Sequence, residues 1–158
     1  MNKNYKKGFT LLEVLLVVAA IGILAGIVIV ALNPGKQLGD TRNAQRRSDV
    51  NTILNAVYQY AIDNDGNLPS GIDAVTGSSQ VLGTAASGLD STCTATTTVA
   101  AGLDLSANLV PTYIVGIPTD PKTGTAANTD YYINKDTNSR LTVGSCDPEQ
   151  SAVISVTR

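Results

Sequence analysis

Histidine is absent from the 158 residues. That removes the commonest general base, the commonest metal ligand and every Ser-His or Cys-His nucleophile arrangement. No nucleophile and base stand at a recognisable spacing in their place, so a membrane-anchored enzyme is the weakest functional class for this chain. Cysteine is scarce as well. Cys93 and Cys146 are too far apart for a CxxC redox motif and too few for a zinc site. In an exported chain they would most simply form one disulfide; in a cytosolic chain they would be two reduced thiols.

Net charge is only −2, and what charge there is lies segregated. Lys3, Lys6 and Lys7 open the chain, and Lys36, Arg42, Arg46 and Arg47 stand against Asp40 in the next charged stretch. From Asn51 to Arg158 there are four basic and ten acidic residues. Such an acidic head repels nucleic acid phosphate, which disfavours DNA binding by the head alone.

From Phe9 to Leu32 there is no lysine or arginine and a single carboxylate, Glu13. A helix over that run is about 36 Å long, enough to cross the roughly 30 Å hydrocarbon layer with some tilt. A secretory signal peptide would have a shorter apolar core and then a small-x-small cleavage site, whereas here the run continues past Ala19, Ala20 and Ala25, so the segment is expected to be retained. Cations stand on both flanks, so charge does not select an orientation. Gly22 and Gly26 form a G-x-x-x-G pair that permits close helix approach.

Glu13 has two readings. Four residues into the run, it can snorkel at one interface at modest cost. Buried among neighbouring helices, it needs a cation, because a lone buried anion is protonated or several kcal/mol uphill. A cut between Gly8 and Phe9 would create that cation, the α-amino group of Phe9, for a neighbouring copy to offer.

A second helix is expected from about Gln37 to Asp63, beyond a break at Asn33-Pro34-Gly35 where Pro34 kinks or unwinds the chain. Val50, Ile53, Leu54, Val57 and Ala61 form one apolar stripe along it, facing a sheet. Arg46, Asp49, Asn55 and Gln59 are assigned to the opposite side, with Arg42, Arg46 and Arg47 as a solvated or headgroup-facing collar; the functional alternative for these arginines is subunit contact or DNA binding on a filament surface. Asp63 to Pro69 ends the helix, and its glycine placement fails the EF-hand pattern. Ser70 to Asn108, without aromatics, reads as a long loop with one weak strand near Thr96 to Ala100; a Cys93–Cys146 bond would tether it at a nominal gain of about 4 kcal/mol. Leu105 to Val110 reads as a short helix, which Tyr113 to Ile117 extends unless it begins the sheet. Strands are expected at Asp130 to Asn134, Arg140 to Gly144 and Ala152 to Val156. Tyr113, Tyr131 and Tyr132 are expected in packing. The fold class is α+β: a long N-terminal helix, apolar then amphipathic, packed on a small antiparallel sheet.

The stretch Lys6-Lys7-Gly8, Phe9-Thr10-Leu11-Leu12-Glu13 and the apolar run after it resembles the type III signal and first helix of type IV pilins and of the pseudopilins of type II secretion. Leu109 to Pro121, followed by Tyr131-Tyr132, is similar to the approach to the sheet in small pilins and pseudopilins. The resemblance implies a leader over residues 1–8, a transmembrane or filament-core helix over 9–32 and a head over 33–158. It implies cutting by a prepilin peptidase after Gly8, methylation of Phe9, and pairing of Glu13 with that amine during assembly on a pilus platform. The product would be a structural filament subunit, first single-pass in the cytoplasmic membrane and then in a cell-surface homo-oligomeric filament. No catalytic residue, metal or cofactor is called for, although calcium bound by Asp120, Asp130, Asp136 and Asp147 has a parallel in some pseudopilins. The competing class is a membrane-anchored binding module that never polymerises.

Overall fold

A computed structural model describes residues 8–73, 75 and 77–158. Lys3, Lys6, Lys7 and the rest of the expected leader before Gly8 lie outside the described residues. The chain divides into two compact units, one ending at Leu38 and the other running from Gly39 to Arg158.

In the first unit, α1 spans Leu11–Leu32 and none of its residues is buried. Thr10 caps it in an extended conformation, its Oγ1 accepting the Glu13 backbone N–H at 3.2 Å. The helix stops at Asn33, which adopts the left-handed conformation at φ 43°, and α2, Pro34–Asp63, begins at the next residue. Proline suits a first helical position, where no N–H is needed, and the Asn33 side chain accepts the Lys36 N–H at 3.3 Å. Asn33 thus ends one helix and caps the next.

From Gly39 on, α2 belongs to the head. It closes at Gly66, whose φ of 84° lets its N–H reach the Ala61 carbonyl at 2.8 Å. Four antiparallel strands, β1 Gln80–Val81, β2 Tyr131–Lys135, β3 Leu141–Ser145 and β4 Ser155–Thr157, form a sheet in the order β1-β2-β3-β4. Val50, Ile53, Leu54 and Val57 of α2, all fully buried, pack with Tyr131, Ile133, Leu141 and Val143 of the sheet's inner face. Burying side chains of this size is worth about 1.5–3 kcal/mol each. The other face holds a smaller cluster of Val81, Leu89, Tyr132 and Cys146. Gly144 is required there, because a Cβ would strike the Tyr132 ring lying across it.

The α+β class and the three carboxy-terminal strands stand as expected, each strand displaced by one to three residues. The strand expected near Thr96 is reduced to a single bridge, Thr98 with Ser79. The short helix is Ser106–Leu109, here α3. Tyr113 to Ile117 joins neither helix nor sheet; prolines 111 and 118 flank it and supply no N–H for either ladder. Tyr131 and Tyr132 are buried, and Tyr113 packs edge-on to Tyr60 with ring centroids 5.7 Å apart.

Candidate functional site

The sequence-derived residues of the first unit lie on its outer surface. Phe9 is 84% exposed, and it lines one shallow groove with Glu13, Val14, Val17 and Val18. Phe9 precedes the extended cap Thr10 and so lies outside the helix, yet both it and Glu13 border this groove. Glu13 sits in the first helical turn, where the free N–H groups and the helix dipole favour an anion. Around it every large apolar side chain from Leu11 to Leu32 is about half or more exposed, a surface that water does not tolerate at this length. Among the described residues this is the one helix long and apolar enough to cross a membrane.

The head carries a polar cluster where the chain's carboxy-terminal loop meets α2. Arg46 is fully buried, and its Nε and Nη2 donate to the two Asp120 carboxylate oxygens at 2.5 and 3.0 Å. Its Nη1 donates to Asn43 Oδ1 at 2.9 Å and to Glu149 Oε2 at 3.0 Å. Arg42 grips Glu149 with a second fork, at 2.5 and 2.6 Å, and Lys122 adds a contact at 3.3 Å. Asn43 reads the backbone of the same residue: its amide donates to the Glu149 carbonyl at 2.8 Å and its oxygen accepts the Glu149 N–H at 3.0 Å. Gly39 leaves room for the loop, since a Cβ would come within 2.5 Å of the Gln150 amide.

The electrostatics follow. The Arg42 hydrogen bonds hold the Glu149 carboxyl far below its usual range. Burial raises the Asp120 pKa, but the Arg46 bonds and the N–H groups of Lys122 and Thr123 outweigh it, so the net direction is down. Asp130, buried and in contact only with neutral donors, is pushed up by that burial. Tyr131 is raised by burial and by its bond to Asp49, its hydroxyl donating to the carboxylate at 2.7 Å.

This cluster corrects the assignment of Arg42, Arg46 and Arg47 to a solvated collar. Only Arg47 is exposed; Arg46 and Asp49 are buried. The helical spacing contained the answer, because Arg46 precedes Val50 by four residues and Asp49 precedes Ile53 by four, so both continue the buried stripe. Glu149 carried no local signal, since its partners on α2, Arg42, Asn43 and Arg46, lie more than a hundred positions away and Lys122 lies 27 away.

Cys93 and Cys146 are joined in a disulfide. The bond fastens the loop after β1 to the end of β3, and Thr94 Oγ1 and Ala95 N–H both donate to the Cys146 carbonyl at 3.0 Å. The four aspartates considered for calcium are dispersed in their bonding: Asp120 to Arg46, Asp136 to Arg140, Asp147 to Thr94, Asp130 among neutral donors. Among the described residues no group of three or more His, Cys, Asp or Glu is placed to hold a metal ion.

A long exposed apolar helix whose chain continues into a small four-stranded α+β head is consistent with an α+β pilin fold. The sequence comparisons make the class more specific. Residues 3–29 match the family model described as the prokaryotic N-terminal methylation motif. Type II secretion system core protein G of Aeromonas hydrophila is 38% identical over 77 residues, 48% of this chain and 52% of that protein. The protein of the same name from Escherichia coli strain K12 is 39% identical over 59 residues, 37% and 39% of the two chains. That of Vibrio cholerae serotype O1 is 42% identical over 65 residues, 40% and 43% of the two chains. The chain thus spans about half, or less, of the length of these relatives. No solved structure matches. The motif and the relatives together support the type IV pilin and pseudopilin family as the family of this chain.

Proposed function

We propose that this chain is a structural subunit of a pseudopilus-type filament serving protein secretion. One observation carries the reading: an apolar helix with no buried residue, Leu11–Leu32, bearing one carboxylate in its first turn, lies mostly within a match to the N-terminal methylation motif over residues 3–29. In a membrane the helix satisfies its own backbone hydrogen bonds, and in a filament its apolar surface is covered by other helices, so the transfer costs little hydrophobic free energy. A prepilin peptidase cuts after Gly8 and methylates Phe9, and Glu13 of an incoming copy pairs with that amine, penalising any register that leaves the carboxylate bare. The work of the chain is assembly rather than catalysis. The relatives are secretion components by name, which favours a filament below the cell surface over the surface filament expected from sequence.

The test is the amino-terminal peptide, measured by mass spectrometry in a sheared filament fraction and in membranes. A chain beginning at methylated Phe9 in the filament fraction is expected. An intact leader found solely in membranes, with a monomer in detergent, favours the anchored binding module instead.

A further inference from the structure

Arg47 is the one arginine of the head whose side chain has neither an ion pair nor a hydrogen bond among the described residues. Arg42, Arg46 and Arg140 each meet a carboxylate, and Arg158 donates to Asn55. The Arg47 guanidinium has no such contact among the described residues, and it borders a groove of about 140 Å³ shared with Val50, Asn51 and Val153–Val156.

The far wall of that groove is β4, the last strand in the sheet order. Leu141 and Arg158 exchange both backbone bonds, at 2.7 and 2.9 Å, and Ser145 donates to Ile154 at 2.9 Å. Alternation along an antiparallel ladder then turns the N–H and C=O groups of Ser155 and Thr157 away from β3. Val153, just before the strand, is 86% exposed. Unpaired backbone groups, an uncovered valine and an unmatched cation therefore share one edge.

We propose that this strip, Arg47 with Val153–Thr157, is the face on which a second copy of the chain docks its head; the inference rests on the filament reading above. Charge complementarity selects the occupant. From Gly39 to Arg158 there are twelve carboxylates against seven basic residues. Asp40, Asp63, Asp65, Asp90 and Asp104 are exposed and stand outside every ion pair among the described residues. A neighbouring head thus presents surplus anion to Arg47. Docking of this strip on a like strip is ruled against, because it would oppose Arg47 and Arg158 to their own copies and would close a two-fold dimer. A strip docked on a different acidic surface is heterologous and propagates without closing, as a filament requires.

The test places a photo-cross-linking phenylalanine analogue at Val153 in the full-length chain, in cells that assemble it, beside Arg47→Glu. Irradiation is expected to yield a ladder of self-adducts, dimer, trimer and higher, mapped by mass spectrometry to an acidic surface of the neighbour. Arg47→Glu is expected to fold with a nearly unchanged melting temperature, having no side-chain hydrogen bond or ion pair among the described residues to lose, and to lower filament yield by about tenfold as attraction becomes repulsion. Adducts confined to a dimer, adducts with another protein, or normal filaments from Arg47→Glu without self-adducts overturn the docking face while leaving the filament reading intact. Absence of filaments from the wild-type chain overturns that reading and this proposal with it.

Discussion

Arg46 and Asp120, 74 positions apart, meet through two hydrogen bonds with neither side chain exposed. Asp120 also accepts the N–H groups of Lys122 and Thr123 at 2.8 and 3.2 Å, so one carboxylate shapes its own turn while holding that turn to α2. Arg46→Met would strand the carboxylate in an apolar site, at about 3–5 kcal/mol, the usual consequence of breaking a buried pair from one side. Arg46→Met with Asp120→Asn keeps the turn acceptor but removes the charge, and should recover part of that loss. Chemical denaturation of the detergent-solubilised chain measures both; equal destabilisation by the single and double variants would deny the pair its role.

Acid should loosen the head through the same cluster. Glu149 and Asp120 are both held below their ordinary values of 4.5 and 3.8. As pH falls below about 5, the unfolded chain takes up protons on these groups before the folded chain does, so their stabilisation, complete above the ordinary values, is lost progressively downward. The melting temperature is expected to fall between about pH 5 and pH 2, and Glu149→Gln is expected to flatten that slope while lowering the neutral-pH plateau. An unchanged slope in Glu149→Gln would mean that other carboxylates govern the transition.

Asp130 works in the opposite direction. Its pKa is raised by burial, so its charged form is disfavoured in the fold and it subtracts stability once pH rises above its ordinary range. Its φ of 58° is also a conformation that asparagine adopts readily. Asp130→Asn should therefore raise the melting temperature at pH 7 and change it little at pH 3. A variant less stable at pH 7 would show that the carboxylate is needed in its charged form.

The disulfide should matter most locally. Between β1 and α3 the chain has almost no ladder of its own, only the bridges of Ser79 with Thr98 and Leu82 with Leu103, and Cys93 ties its middle to a fully buried Cys146. Cys93→Ser with Cys146→Ser should cost about 2–4 kcal/mol and open residues 84–103 to protease before the rest of the head. Cleavage appearing first in α2 would contradict a local tether.

The parts of this fold that were legible in the sequence are those that repeat. The apolar run, the Val50–Ala61 stripe and the β-branched strands each repeat a residue type at the period of their element. Asn33-Pro34 was legible because proline's missing N–H acts within one turn. β1 was not, being two residues long and held by Tyr132, Ile133 and Leu103 from distant segments. The Arg46 cluster was misread for a different reason: its polar residues were weighed by type, whereas their positions on the helix placed them inward. A charge becomes a core residue when its partner arrives from elsewhere, and Asp120 and Glu149 come from loops whose approach no local pattern specifies.

Glu13 is the residue on which the functional reading turns. As an interfacial charge in a lone helix it would be dispensable, since Thr10 already caps the first turn and water can solvate the carboxylate. As the partner of a neighbour's amino terminus it would be the one group able to discriminate register along an otherwise uniform apolar surface. Glu13→Ala is therefore expected to insert in the membrane, lose its leader normally and fold its head, yet to lower filament yield by about tenfold or more, the effect of losing one desolvated charge pair at each interface. Glu13→Gln, which keeps shape and hydrogen bonding, should fall closer to Glu13→Ala than to the wild type if charge is what matters. Quantifying sheared filaments against total processed chain separates assembly from expression, and wild-type yield in both variants would return Glu13 to the role of a tolerated charge at the membrane surface.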